Sequence, residues 1–507
     1  MNRFKKKKIY IVVIFLFFFI AVYFFLNTED IKKPINQEKK VLLEDINNNK
    51  NIYKEEKKRY IDKEIKNIVL VIIDTLRADH LGFMGYPRNT SPFLDKLSRE
   101  SVVFSNAYTP TPSTNPSVSS LFTSLHTMQH KVTNNKELLD KSFVTMAEFL
   151  KLKKFDTAAF LPTRLFHRGD IVQGFDVINL PDLKKDIRQL STVTVNNAID
   201  WLDLRNTENS LFLWMHFWDC HYIHANKDVD RMSIKGFLDT EEDEKKKIIK
   251  FWIDEQKINP QIFLGETEED MIEAMVDSIN KYDTDILYTD TEIERFYSYF
   301  EENDLNKDTL WIIVTDHGEG LGSHDFYMHK ENIYRELVLT PIMFHFPKSF
   351  NIKPRIINSP IENVDVLPTL SDIVGFSLDQ QRKTIQGSSL APIIFDEKEK
   401  IDDKNIFFWT GNVGPNHSGP YFPVDVYIKD TSFEGNVFGV QNKNYKYIYN
   451  LNKEDELYSV KEDPAELSNI LEDNIEKGKE LKGVLLEKIE KTFEESKDII
   501  RTPPIVY

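Results

Sequence analysis

The sequence predicts an α/β protein with a mainly parallel sheet flanked by helices. Two observations carry that prediction. Residues 68–73, 157–161, 211–218, 310–315 and 342–346 are apolar almost throughout rather than alternating, as strands buried on both faces of a sheet must be. Helical patterns such as 194–204 and 289–303 fall between them, and strands alternating with helices favour crossover connections and parallel pairing. Ligand sites in such sheets form beyond the carboxyl ends of the strands. Composition agrees: of 507 residues 41% are hydrophobic and 12% aromatic, enough for a large core and too much for wholesale disorder.

Taken in order, residues 1–8 form a basic tail, with Arg3 and Lys5 to Lys8. Residues 9–26 carry no charge and would span about 27 Å as a helix, close to the thickness of a hydrocarbon core. The expectation is one N-terminal transmembrane signal anchor in the cell membrane, with the tail cytoplasmic and the remainder of the chain extracytoplasmic. A cleaved signal peptide would need a shorter apolar stretch and small residues before the cut, whereas Tyr23-Phe24-Phe25-Leu26 stands there. Residues 27–66 are dense in Lys, Glu and Asn and read as a charged, solvated stalk. Residues 67–351 read as the main α/β domain. Within it, 228–281 read as a charged helical insertion that could cover a cleft, with helices at 242–257 and 266–281. From 352 to 507 the pattern changes to a smaller C-terminal α+β region, with short strands near 424–428 and 445–449 and a terminal helix near 475–497. Ser91-Pro92 reads as the cap of a helix that buries Phe93, Leu94 and Leu97.

Net charge is −16, which argues against nucleic acid as a partner because phosphates need cationic neutralisation. The single cysteine, Cys220, rules out an intramolecular disulfide.

Polar residues stand where the α/β rule puts a site. Asp74 ends one strand, Asp316-His317 another, and His216-Phe217-Trp218-Asp219-Cys220-His221 a third. Each alone is an ordinary turn residue. With them goes Ser113-Thr114-Asn115-Pro116-Ser117-Val118, where Pro116 suits the first position of a helix and Thr114 falls just before its N-terminus. Free N–H groups and the helix dipole favour an anion there, so the Thr114 hydroxyl is either a plain helix cap or a nucleophile toward an ester of phosphorus or sulfur.

These segments, in this order, resemble the sulfatases of the alkaline-phosphatase superfamily over about residues 67–469. Ile68-Val69-Leu70-Val71-Ile72-Ile73-Asp74 is similar to the family's first strand and metal-binding aspartate. Thr114-Asn115-Pro116-Ser117 with Leu121 and Thr123 is similar to the nucleophile motif, and Trp218-Asp219-Cys220-His221 to a strand ending in Asp-Pro-His. Asp316-His317-Gly318-Glu319 through Ser323-His324 resembles the second metal-binding segment. Asp365-Val366-Leu367-Pro368-Thr369 and the stretch around Asp463-Pro464 are similar to the C-terminal landmarks. The resemblance implies one divalent cation (Ca, Mg, Mn or Zn) on Asp74, Asp316, His317 and the Thr114 oxygen. It also implies roles near the substrate anion for His221, His329 and His324. His216 and His224, with His221 and His329, could complete a second, zinc-type site.

Sulfatases proper carry Cys or Ser at position 114, converted to an aldehyde (formylglycine), and Arg at position 118. Thr114 and Val118 stand there, so no formylglycine is expected. Many members also have Asp where Thr75 stands and Gly where Ser124 stands. A hydrated aldehyde expels sulfate by collapse of its hemiacetal. A threonine sulfate has no such route, whereas a threonine phosphate can be opened by water or another hydroxyl at phosphorus. The expectation is therefore hydrolysis or transfer of a phosphate-type, anionic ester, lipid- or glycan-linked, through Thr114. The alternatives are a sulfuric ester hydrolase and a non-catalytic binding protein that kept the fold.

Overall fold

The computed structural model describes residues 64–181, 189–205, 208–221, 236–238, 240–330, 332–378, 385–398, 400–410, 437–450 and 453–495. The anchor at 9–26, nearly all of the stalk and the strand expected at 424–428 lie outside the described residues. Among the described residues, no helix is long and apolar enough to cross a membrane.

The strands β1 (Asn67–Ile73), β2 (Val102–Phe104), β3 (Ala107–Tyr108), β4 (Asp156–Phe160), β5 (Val177–Asn179), β6 (Leu211–Phe217), β7 (Thr309–Thr315), β8 (Ile342–His345) and β9 (Arg355–Ile357) come first in the chain. All but β3 form one sheet, in the order β5-β4-β6-β1-β7-β8-β2-β9. β8 alone runs against its neighbours, so the sheet is mainly parallel as expected. Every residue of β1, β6 and β7 is buried. Alternate side chains of β1 enter two different cores: Ile68, Leu70 and Ile72 one, Val69, Val71 and Ile73 the other. Such strands need no polar face, which is why they read as unbroken apolar runs. Each fully buried aliphatic side chain contributes about 1.5–3 kcal/mol.

Helices cover both faces. On the first lie α2 (Thr114–Thr123), α3 (Met146–Leu152) and α7 (Val366–Val374), burying Val118, Phe122, Phe149 and Leu367. On the second lie α1 (Pro92–Ser98), α4 (Ser191–Leu204) and α6 (Glu268–Glu302), burying Leu94, Val195, Ile286 and Phe296. α5 (Glu242–Ile249) runs into a π-helical turn, Lys250–Glu255, and this pair packs with α6. The two helices expected at 266–281 and 289–303 are one helix of 35 residues, because no Gly or Pro interrupts the segment between them. The change of character expected at 352 also falls inside the main layer, since β9 joins the large sheet and α7 packs on it. A short β10 (Ile361–Glu362) pairs with β3. The separate C-terminal sheet is β11 (Ile406–Trp409), β12 (Val437–Gln441), β13 (Tyr445–Asn450) and β14 (Glu456–Ser459), antiparallel throughout and backed by α8 (Ile475–Glu495).

The cap of α1 is not the one expected. Ser91 Oγ turns to Asp95, while the free N–H groups of Phe93 and Leu94 donate to Asp290 of α6 at 2.8 and 2.9 Å. A carboxylate accepting two N–H groups at a helix start outdoes a hydroxyl. Burial pushes the Asp290 carboxyl up to about 7. Because the folded value is raised, the stability this group contributes is present below the ordinary carboxylate range and lost as pH rises through about 7. Asp290→Asn cannot titrate and keeps one acceptor. Its melting temperature is expected to lie below wild type in acid, by the equivalent of about 1 kcal/mol, and the gap to narrow toward neutral pH; parallel profiles would contradict this.

Candidate active site

The parallel register decides which residues meet. Ile73 pairs with Phe217 on one side and Thr315 on the other, so β6, β1 and β7 end in one row. Asp74 and Asp316 therefore leave the sheet side by side. The turn after β1 is held hard: Thr75 takes a left-handed φ of 54°, costly for a β-branched residue. Four hydrogen bonds over-determine it. Thr75 N donates to Asp316 Oδ1 (3.2 Å) and Thr75 Oγ1 to the Asp74 carbonyl (2.8 Å). Tyr282 OH donates to the Thr75 carbonyl (2.6 Å) and accepts from Arg77 N (2.8 Å).

Thr114 arrives at the start of α2, which packs on the first face of the sheet. The helix begins at Thr114 itself rather than after it, and Pro116 occupies the third position, still inside the turn whose N–H groups are spare. Ser113, the cap residue, makes no side-chain cap bond; Asn135 Oδ1 accepts from Asn115 N at 2.9 Å and fixes the turn instead. The whole helix is buried, and Thr114 is 0% exposed. It ends at Ser124 in the left-handed region (φ 58°), the conformation that explains why glycine suits that position.

Thr114 Oγ1 lies 3.3 Å from Asp74 Oδ2 and 3.2 Å from His317 Nε2. His317 Nδ1 lies 2.9 Å from the Gly318 carbonyl, which can only accept, so Nδ1 carries the proton and Nε2 offers its lone pair toward Thr114. Candidate ligand atoms of Asp74, Asp316 and His317 all lie within 4.8 Å of one another, and all three residues are buried. Asp74 Oδ1 and Asp316 Oδ2 have no hydrogen-bond partner among the described residues. Two buried carboxylates, each with an oxygen that has no donor, clustered with an imidazole lone pair, fit a divalent cation. Burial, then the charge of Asp74, pushes Asp316 well above the usual carboxylate range. On Asp74 burial works the same way, but the imidazoles around it, His216 at 3.5 Å foremost, outweigh it and hold this acid low. Two like charges this close cannot both persist without a compensating cation.

The other expected histidines divide. His329 joins the cluster: its ring lies 4.5 Å from that of His317, and Nδ1 faces both oxygens of Glu319 at 3.1 Å. His221 stacks on Trp218 (4.3 Å) and meets His329 edge-on (5.2 Å). Burial brings His221 and His317 each down to about 3, so both are neutral imidazoles at pH 7. His216 is also buried, with Nε2 3.5 Å from Asp74 Oδ2. His224 lies outside the described residues. His324 does not fit its expected role. Both its nitrogens are engaged, Nδ1 with Glu336 Oε1 and Nε2 with the Glu466 carbonyl, each at 2.8 Å, and the ring stacks on Tyr334. Burial opposes its charge, but Glu336 prevails and raises it to about 9. It is an imidazolium brace between two parts of the chain, with no nitrogen left for a substrate.

Two residues went unread in the sequence. Half-buried Lys330 follows His329; burial lowers its pKa against the charges of Asp74, Glu319 and Asp316, which places its ammonium in the cluster's field. Its adjacency to His329 was the signal. Glu319, fully buried and pushed up to about 7 by burial, orients His329; nothing in its spacing marked it for that. The 242–302 segment supports this loop from behind: Phe263 packs on Tyr327, Asn259 Nδ2 donates to Asp325, and Trp252 lies under the Arg77 guanidinium.

Comparison with known proteins agrees with this architecture. The family model described as Sulfatase matches residues 66–376, and that described as N-sulphoglucosamine sulphohydrolase, C-terminal, matches residues 322–495. The chain is 23% identical over 385 residues to the ulvan-active sulfatase of Formosa agariphila, covering 70% of this chain and 69% of that protein. It is 22% identical over 490 residues to the multifunctional alkaline phosphatase superfamily protein of Trinickia caryophylli, covering 80% and 91% respectively. The crystal structure of the phosphonate monoester hydrolase of Agrobacterium radiobacter superposes with a TM-score of 0.62 at 18% identity, over 85% of this chain and 96% of that one. The chain belongs to the sulfatase family of ester-bond hydrolases.

Proposed function

We propose that the chain cleaves a phosphate-type ester through Thr114, in a site that holds one divalent cation on Asp74, Asp316 and His317. The observation that carries this is the position of the Thr114 hydroxyl: buried at a helix start and within 3.3 Å of Asp74 and His317. When bound, the cation supplies a Lewis acid that neutralises the ester anion and lowers the pKa of the hydroxyl. The His317 lone pair can serve the cation or the hydroxyl proton, not both, which leaves Asp74 Oδ2 as the acceptor for the proton of Thr114. Oγ1 forms a bond to phosphorus as the bond to the leaving oxygen breaks. That oxygen takes a proton from the Lys330 ammonium, beside His221. Water, or an acceptor hydroxyl, then gives its proton to the Lys330 amine and attacks phosphorus; the bond from phosphorus to Oγ1 breaks, Oγ1 takes its proton back from Asp74, and the acid is released or transferred. The positive end of the α2 dipole, at whose start Thr114 stands, favours the anion throughout.

A second reading, hydrolysis of a sulfate ester, is favoured by the family match and by the ulvan-active sulfatase among the relatives. Against it stands the threonine, which has no aldehyde to expel sulfate. For location we propose a single membrane anchor at residues 9–26 with the catalytic domain outside the cytoplasmic membrane. The uncharged apolar stretch and the basic residues before it support that reading.

Purified protein assayed on aryl phosphodiester, phosphonate monoester, phosphate monoester and aryl sulfate panels is expected to turn over the phosphorus esters. Thr114→Ala should lower kcat/KM by about 10³-fold or more, and Thr114→Ser should retain much of it. Robust sulfatase turnover with an unmodified threonine at 114 would decide for the second reading. Chelation is expected to abolish turnover and lower the melting temperature, with recovery on adding back Mn²⁺, Zn²⁺, Ca²⁺ or Mg²⁺. Asp316→Ala should fail to hold a stoichiometric ion by elemental analysis; a variant that holds the ion as wild type does would exclude Asp316 as a ligand.

A further inference from the structure

His216 is the one polar residue in the buried run of β6, and the proposed reaction gives it nothing to do. It pairs across the sheet with Ile72 and is 0% exposed, with its ring packed on Phe166 (4.4 Å) and near Trp214 (5.8 Å). Neither ring nitrogen has a hydrogen-bond partner within ordinary reach among the described residues. An imidazole buried in that state is costly, and a costly polar group in a core strand calls for a physical reason.

The reason lies in how the two oxygens of Asp74 are divided. Oδ2 faces Thr114 Oγ1 at 3.3 Å and His216 Nε2 at 3.5 Å, the outer edge of a hydrogen bond. Oδ1 has no hydrogen-bond partner among the described residues, and Asp74 lies with Asp316 and His317 in one cluster whose ligand atoms are within 4.8 Å of one another. An aspartate at a strand end can rotate about its side-chain torsion and exchange its oxygens. A donor fixed on the strand beside it removes that freedom.

We propose that His216 is a positioning residue for the metal site: its Nε2–H holds Asp74 Oδ2, so that Oδ1 is presented to the divalent cation while Oδ2 stays beside Thr114. The proposal rests on the reading of Asp74 as a metal ligand. His216 itself touches neither substrate nor the reacting oxygen. Its tautomer follows, with the proton on Nε2 and the Nδ1 lone pair left against the aromatic wall. Groups that orient a metal ligand in this way typically matter about 10–100-fold in metal affinity.

The test is Mn²⁺ binding, measured by titration calorimetry on the chelator-stripped full chain, with the stripped protein's melting temperature as a check on folding. Wild type is expected to bind one Mn²⁺. His216→Leu should still bind one ion, about 10–100-fold more weakly, while its melting temperature without metal is unchanged or higher. His216→Gln, which can place an amide N–H near the former Nε2, should recover most of the affinity. Should His216→Leu fail to fold, His216→Asn, too short to reach Asp74, takes its place and should be weak where Gln is strong. Wild-type affinity in the Leu or Asn variant would overturn the proposal. So would a fall from two ions to one, because His216 would then be a ligand rather than an orienting donor. A wild type that binds no Mn²⁺ would remove the metal reading and this assignment with it, and is distinguished by failing before any substitution is made.

Discussion

Two carboxylates forced together at a dry sheet edge are the constraint on which the rest of this site depends. Parallel pairing of β1 with β7, in register from Asn67 to Ile73, leaves Asp74 and Asp316 no choice but to emerge as neighbours. Two full charges no more than 4.8 Å apart repel by at least roughly 3 kcal/mol at an effective dielectric of 20. Neither has enough donors to spread its charge over protein groups, since one oxygen of each lacks a partner. The arrangement is poor as architecture and good as a cation cradle. Because stability alone would select against it, it is the strongest physical pointer to function in the molecule.

Much of the second helical layer is organised to hold that edge. Tyr282, from the middle of α6, bridges the Thr75 carbonyl and Arg77 N, and so pins a turn that a β-branched residue resists. Arg77 then reaches across to the Glu319 and Gly320 carbonyls, tying the turn after β1 to the loop after β7. The same helix caps α1 through Asp290. The 35-residue helix is thus a strut under the turns that carry Asp74 and Asp316.

The fold was legible where one physical cause dominated. Strands buried on both faces show as unbroken apolar runs, and five of the large sheet's strands were located to within a residue. Asp74, Asp316, His317 and Thr114 were legible for the same reason, being polar groups at strand ends or a helix start. What could not be read were relations between distant segments. Nothing local marks Asp290 as the cap of α1 or Asn135 as the anchor of the Thr114 turn. His324 stood in a suggestive motif, yet Glu336 and Glu466, 12 and 142 residues away, claim both its nitrogens. Lys330 was passed over though it adjoins His329, because a lysine in a charged loop is ordinarily solvated. Beyond residue 352, β9 and α7 return to the main layer after a polar stretch, a relation between distant segments that no local pattern carries.

The chemistry then turns on one atom. The geometry around Thr114 Oγ1 suits a nucleophile whatever the ester, whereas the absence of an aldehyde precursor separates phosphate from sulfate. Mass spectrometry of protein quenched during turnover tests this most directly. The account predicts a phosphorus-containing adduct on the peptide bearing Thr114, present with phosphorus esters and lost on longer incubation. Turnover with no adduct at Thr114, or an adduct on another residue, would contradict it.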